Sequence, residues 1–167
     1  MKSLILSLLP LSMMFMVSCS SDTLQRGSLP LSRLTDTGCK SEVLSRAMEN
    51  HEETPGAESI SLKAISHQKG SVTLQVKHLN AMFNCSSDKI WVKSDMEGKI
   101  IKIYEVENSV AANCMCAHDL SFELGPLAEG SYQVYLYHSV KEPQEGDFST
   151  HFTVNVSPSL NQTISVE

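Results

Sequence analysis

Basic charge is scarce in this chain. Lysine and arginine number 13 against 19 aspartates and glutamates, for a formal net charge of −6 and a sequence pI near 5.5. Phosphate binding needs a positive surface, so nucleic acid is excluded as the expected partner. Aromatic residues are only 6% of the chain, with a single tryptophan. Catalytic signatures are missing as well: there is no Gly-x-Ser-x-Gly elbow and no His-Glu-x-x-His pair. The six histidines (His51, His67, His78, His118, His138 and His151) sit in no recognisable nucleophile context. Internal repeats and low-complexity tracts are absent. What remains is 167 residues, 41% hydrophobic, enough for the core of one domain of ordinary size.

The N-terminus reads as a targeting signal. Lys2 supplies positive charge, and Leu4 to Met16 form an apolar stretch interrupted by Ser7, Pro10 and Ser12, too short to span a bilayer as a stable helix. It ends in Met16-Val17-Ser18-Cys19, which resembles the bacterial lipobox. The resemblance implies cleavage before Cys19 and lipidation of that residue, with Ser20 after it favouring the outer membrane. Residues 1–18 are thus expected as a lipoprotein signal peptide. Residues 19–57 are expected as a lipidated tether, rich in Ser and Thr at first. Val43, Leu44, Ala47 and Met48 follow at helical spacing, as one short helix over 40–53 or merely the end of the tether.

From Glu58 the period becomes two. Ile60 and Leu62 alternate with polar residues, Gln68-Lys69-Gly70 makes a turn, and Val72, Leu74, Val76 and His78 alternate again. Lys89 to Val106 forms a hairpin around Gly98. Phe148 to Val156 is a further strand, and Thr163 to Val166 adds a short last one. Seven or eight short strands with almost no helix indicate an antiparallel, immunoglobulin-like or fibronectin-type β-sandwich over 58–167. In Leu127-x-x-Gly130-x-Tyr132 the tyrosine is placed to bond back across the corner before its strand, as in a tyrosine corner.

Asn113 to Tyr137 organises the chain. Cys114, Cys116, His118 and Asp119 precede Leu120-x-Phe122-x-Leu124, and Ser131 to Tyr137 follow after Gly125-Pro126 and Gly130. This reads as a β-hairpin at the hinge between two β-layers. Apart from Cys19, the chain holds Cys39, Cys85, Cys114 and Cys116, an even number that reads as two disulfides in an oxidising compartment. A Cys114–Cys116 ring would be very small and strained. One of the two is therefore expected to join Cys85 and the other Cys39; spacing does not choose. The alternative is a copper or zinc site on Cys114, Cys116 and His118, with Cys85, Met82 and His78 approaching across the sheet.

Catalysis has weaker candidates. Glu105 and Glu107 share a strand face and read as solvated acids; Ser149-Thr150-His151 reads as surface. Trp91, Tyr135 and Tyr137 fall on the face opposite the inward-pointing residues of their strands. An aromatic row there could meet a glycan or protein if left uncovered.

Leu79-Asn80-Ala81-Met82-Phe83-Asn84-Cys85, Ile101-x-Ile103-x-Glu105, Asn113-Cys114-x-Cys116-x-x-Asp119 and Leu127-x-x-Gly130-x-Tyr132 together resemble a group of small Bacteroidetes lipoproteins. Ala117-His118 stands where that group often has Pro-Tyr. The resemblance implies a lipid-anchored β-sandwich without catalytic residues to carry over. The expected function is a non-catalytic binding or scaffolding module of the cell envelope, attached to the membrane through lipid, with an envelope protein or glycan as partner.

Overall fold

Among the described residues ten strands make two five-stranded sheets. The computed structural model describes residues 26–40, 56–68, 70–87, 89–108, 114–139 and 148–166. Cys19 and residues 41–53 of the expected helix lie outside them. In chain order the strands are β1 (Arg26–Ser28), β2 (Leu31–Asp36), β3 (Ser59–Gln68), β4 (Ser71–Asn84), β5 (Ile90–Glu97), β6 (Ile100–Glu107), β7 (Met115–Ala128), β8 (Gly130–Ser139), β9 (Thr150–Val156) and β10 (Asn161–Ser165). One sheet runs β1-β5-β6-β8-β9 and the other β10-β3-β4-β7-β2. Every pairing is antiparallel except β6 with β8. Packed face to face, the sheets form a β-sandwich.

Alternation explains the core. Ile60 and Leu62, Val72 to Val76, Ile101 and Ile103, Phe122 and Leu124, and Tyr132 to Leu136 all present their apolar phase inward and are buried. Bulges change that phase. Asn80, at φ 57°, sits where the β4–β7 register shifts; asparagine tolerates this left-handed conformation better than most residues. One extra residue reverses which side chains face inward. Before the bulge β4 buries Val76 and His78; after it, Ala81 and Phe83. Both sets therefore point into the sandwich.

Three expectations change at this level. Arg26–Asp36, expected as tether, supplies β1 to one sheet and β2 to the other. Between them Leu29 is buried in the core, its N–H donating to the Ser94 carbonyl at 3.1 Å and its carbonyl accepting from Ser94 Oγ at 2.8 Å. A three-residue strand is too short to display alternation, and in β2 the half-buried residues, Leu31 and Leu34, fall three apart instead of two. The second change concerns β7 and β8, expected as a hairpin. They belong to opposite sheets, so the chain crosses between layers there, in keeping with the hinge reading. Pro126 does not end the strand: β7 continues to Ala128, and Leu127 is buried. At Gly125, φ is +128° and an added Cβ would lie 3.0 Å from the Val72 carbonyl oxygen, which explains the glycine. Third, Glu105 and Glu107 are not solvated but buried.

The β5–β6 hairpin forms as expected, closed by Gly98 at φ 60° and Lys99. Tyr132 Oη donates to the Ala128 carbonyl at 2.9 Å, across the turn that changes sheets. Lys99 Nζ lies 4.2 Å from the centre of the Tyr132 ring.

Candidate functional site

Three sets of side chains stand apart from the apolar core. The first lies where the inward alternation of β4 and β6 runs from aliphatic residues into His78 and Glu105. These two are 1% and 0% exposed. His78 Nδ1 is 2.9 Å from Glu105 Oε2, and Nε2 is 2.7 Å from Glu58 Oε1. His138, on β8 opposite Glu105, places Nδ1 at 3.4 Å from Glu105 Oε2 while Nε2 donates to the Met82 carbonyl at 2.6 Å. Burial by itself would lower the His78 pKa, but hydrogen bonds and charge from the two carboxylates outweigh it and raise the value to about 9. Glu105 is held below its ordinary range: burial opposes ionisation, and the two imidazoles more than offset it. His78 is thus an imidazolium at neutral pH, donating from both ring nitrogens. A void of about 10 Å³ adjoins the pair, too small for a substrate. His78 and Glu105 form the enclosed centre of a charge network that reaches solvent through Glu58 and His138, whose side chains are 30% and 20% exposed.

The second set is the cysteine end. Cys39 bridges Cys116 and Cys85 bridges Cys114, with Cα–Cα separations of 5.5 and 5.6 Å. This selects one of the open pairings, and the cause is local. Residues after β2 run alongside β7: Thr37 N–H donates to the Asp119 carbonyl at 3.1 Å and Lys40 N–H to that of Ala117 at 3.0 Å. Cys39 is thereby laid beside Cys116. Cys85 N–H donates to the Cys114 carbonyl at 3.2 Å, prolonging the β4–β7 ladder to the second bridge. Asp119 is held ionised below its usual range: partial burial works against it, but Lys40 Nζ and the Asn80 N–H bind its carboxylate. His118, buried, has Nδ1 at 2.8 Å from Asp36 Oδ1 and Nε2 at 3.4 Å from Cys116 Sγ. Phe83 packs edge-on against it at 5.4 Å. The Sγ atoms of Cys39, Cys85 and Cys116 all lie within 4.8 Å of one another. Cys114, half of the expected metal pair, is the exposed member. His78, also named as an approaching ligand, is engaged by Glu105 and Glu58 instead.

The third set occupies the outer face of the β1-β5-β6-β8-β9 sheet. Trp91 is 38% exposed and Phe148 37%. Tyr104 stacks on Tyr137 at 4.9 Å, and Tyr135 stacks on His151 at 5.8 Å. Phe148 packs edge-on against both Tyr135 and His151 at 5.2 Å. Tyr137 is itself buried, at 5% exposure, so of the three aromatics expected on an open face it supports its neighbours from below. The sequence reading missed Tyr104, Phe148 and His151. Register brings Tyr104 opposite Tyr137 and His151 opposite Tyr135. Beside Tyr104 a groove of about 210 Å³ runs to the β1 edge, lined by Ser28, Asp95, Glu97 and Lys102 among others. Partial burial, then the charge of Asp95, raises the Tyr104 pKa.

Paired cysteines at two sites point to an oxidising compartment outside the cytosol. Among the described residues no helix is long and apolar enough to cross a membrane. Set against known proteins, the chain matches no family model, no curated protein and no solved structure.

Proposed function

We propose that this chain is a lipid-anchored β-sandwich of the bacterial cell envelope, and that it binds a glycan without catalysing a reaction. One observation carries the reading: a polar groove and an exposed aromatic row meet at Tyr104. Sugar rings offer an apolar C–H face and a rim of hydroxyls. Aromatic rings serve the first, and convergent polar groups such as Asp95, Lys102 and Ser28 serve the second. A flat protein partner would use the aromatic row but not the groove.

Lipidation at Cys19 would give this site a place. Seven peptide steps separate Cys19 from Arg26, the first residue of β1, a reach of at most about 25 Å when fully extended. Gly27 and Ser28 line the groove. The ligand of an anchored protein is then a glycan close to the membrane surface, on whichever side the anchor stands.

Trp91 is the sole tryptophan, so intrinsic fluorescence reports on this face alone. Titration with purified peptidoglycan fragments or lipopolysaccharide-derived oligosaccharides is expected to shift its emission with one of them. Tyr104→Ala and Lys102→Ala are expected to abolish that shift with little change in thermal stability. No shift with any envelope glycan, or a shift that survives both substitutions, overturns the reading. Palmitate labelling that persists in Cys19→Ala overturns the anchor independently.

A further inference from the structure

The two disulfides are not separate staples. They lie at one end of the sandwich, at the start of β7 and just past the ends of β2 and β4, and a sulfur of the Cys85–Cys114 bridge sits in one cluster with both sulfurs of Cys39–Cys116. A tetrahedral zinc ion with sulfur ligands at ~2.3 Å spaces its sulfurs roughly 3.8 Å apart. Three sulfurs within 4.8 Å of one another need only small side-chain movements to reach that spacing. A nitrogen ligand borders the cluster: His118 Nε2 lies 3.4 Å from Cys116 Sγ, outside the 4.8 Å group of three sulfurs, so it joins by a rotation of the Cys116 and His118 side chains towards the other two. Its other ring nitrogen is held by Asp36 at 2.8 Å, the carboxylate–histidine arrangement that orients an imidazole towards a metal. Phe83 closes one side with an apolar wall.

We propose that Cys39, Cys85, Cys116 and His118 form a metal site for zinc or a similar thiophilic d¹⁰ cation, closed while the disulfides are intact and opened by their reduction. The reductant is a dithiol of the thioredoxin type of chemistry. Each of two dithiols transfers two electrons and two protons to one bridge, becoming a disulfide itself and leaving two thiols on this chain. Zinc then displaces the thiol protons of Cys39, Cys85 and Cys116, and the lone pair of His118 Nε2 completes four ligands. Asp36 is a positioning residue. Cys114, exposed and outside the cluster, is the sulfur at which a reductant enters, and it is not a ligand. The set differs from the Cys114, Cys116 and His118 combination that sequence proximity suggests, because strand pairing brings distant cysteines closer than near ones.

The test uses the full mature chain, reduced with a phosphine under argon and freed of reductant, with Zn²⁺ as probe. Native mass spectrometry is expected to find one zinc per reduced chain and none on the oxidised one. Zinc is expected to raise the melting temperature of the reduced chain, or to refold it if reduction has unfolded it. Cys114→Ser is expected to keep both effects and Cys116→Ser to lose them. Asp36→Asn is expected to weaken zinc by roughly 10- to 100-fold in a chelator competition while leaving the oxidised fold intact. Substituting Co²⁺ is expected to produce the visible bands of a tetrahedral thiolate site. A reduced chain whose melting or folding zinc leaves unmoved, or a Cys114→Ser loss as complete as that of Cys116→Ser, overturns the proposal.

Discussion

The two ends of this sandwich are built on opposite principles. At the Tyr132 end, Val72, Leu74, Leu127 and Val134 fill the interior with hydrocarbon, and the polar atom that enters, Tyr132 Oη, donates to the Ala128 carbonyl and accepts from Lys99 Nζ at 3.1 Å. At the cysteine end, the same strands carry His78, Glu105, His118 and Glu107 inward. Among the described residues no buried side-chain nitrogen or oxygen lacks a partner: Glu107 Oε2, for example, accepts from the Asn84 N–H at 2.8 Å and from Ser87 Oγ at 2.6 Å. Hydrocarbon burial is non-directional and tolerates small shifts, whereas a buried charge network holds only while every partner stays in place. Two disulfides clamp the end that needs its geometry kept.

That contrast can be broken most severely at the clamp. Replacing Cys39 and Cys116 together by alanine opens a link across 77 residues and is expected to cost roughly 4–5 kcal/mol on the chain-entropy model, against roughly 3–4 for Cys85 and Cys114, whose separation is 29. Denaturant unfolding of the two double variants checks the order. Next comes Glu105→Ala, which strands the His78 imidazolium beside an empty pocket. A loss of about 3–5 kcal/mol is expected. Replacing His78 and Glu105 together by leucine makes the polar end resemble the apolar one, and that double variant is expected to lie near the parent or above it. A double variant as unstable as the single one would mean that the network holds the fold by more than pairing.

A gentler probe is pH. The folded pKa of His78, about 9, lies above its ordinary 6.5. Its contribution is therefore complete below pH 6.5 and fades as pH rises through 9, a loss on the order of 3 kcal/mol. Glu105 is shifted down, so its own contribution persists above the ordinary carboxylate range and fades only on acidification. Unfolding free energy is expected to be flat from about pH 5 to 6.5 and then to decline, and Glu105→Gln should flatten the alkaline limb. The smallest effect belongs to the apolar end. Tyr132→Phe removes two hydrogen bonds, one to the Ala128 carbonyl and one from Lys99 Nζ, and is expected to cost about 1–2 kcal/mol, read from denaturant unfolding.

Much of the sandwich was legible from alternation. The inward residues of β3, β4 and β7 could be named because a strand buries every second side chain. The tyrosine corner was legible for a related reason: glycine and tyrosine at fixed offsets from a turn act locally. His78 was visible in phase with its aliphatic run, and Glu105, equally in phase, was misread as solvated. Two in-phase residues of opposite charge on different strands are themselves a signal of a buried pair, one that requires knowing which strands face each other. The aromatic face was half legible. Trp91 and Tyr135 were placed outward by alternation, while Tyr104, Phe148 and His151 joined them only through cross-strand register.

What the sequence determined by itself is therefore what depends on neighbours along the chain: the strands from β3 onward, inward and outward phase, the turns at Gly70 and Gly98, the even set of cysteines and the corner tyrosine. Tertiary structure decided what depends on which strands meet. It placed β7 and β8 in opposite sheets, drew residues 26–36 into both, joined Cys39 to Cys116 rather than to Cys114, and gave His118 its carboxylate and its sulfur neighbour. The physical reason is that alternation has a period of two residues and carries no information about partners 30 or 80 residues away. Backbone pairing and bulges such as that at Asn80 supply it.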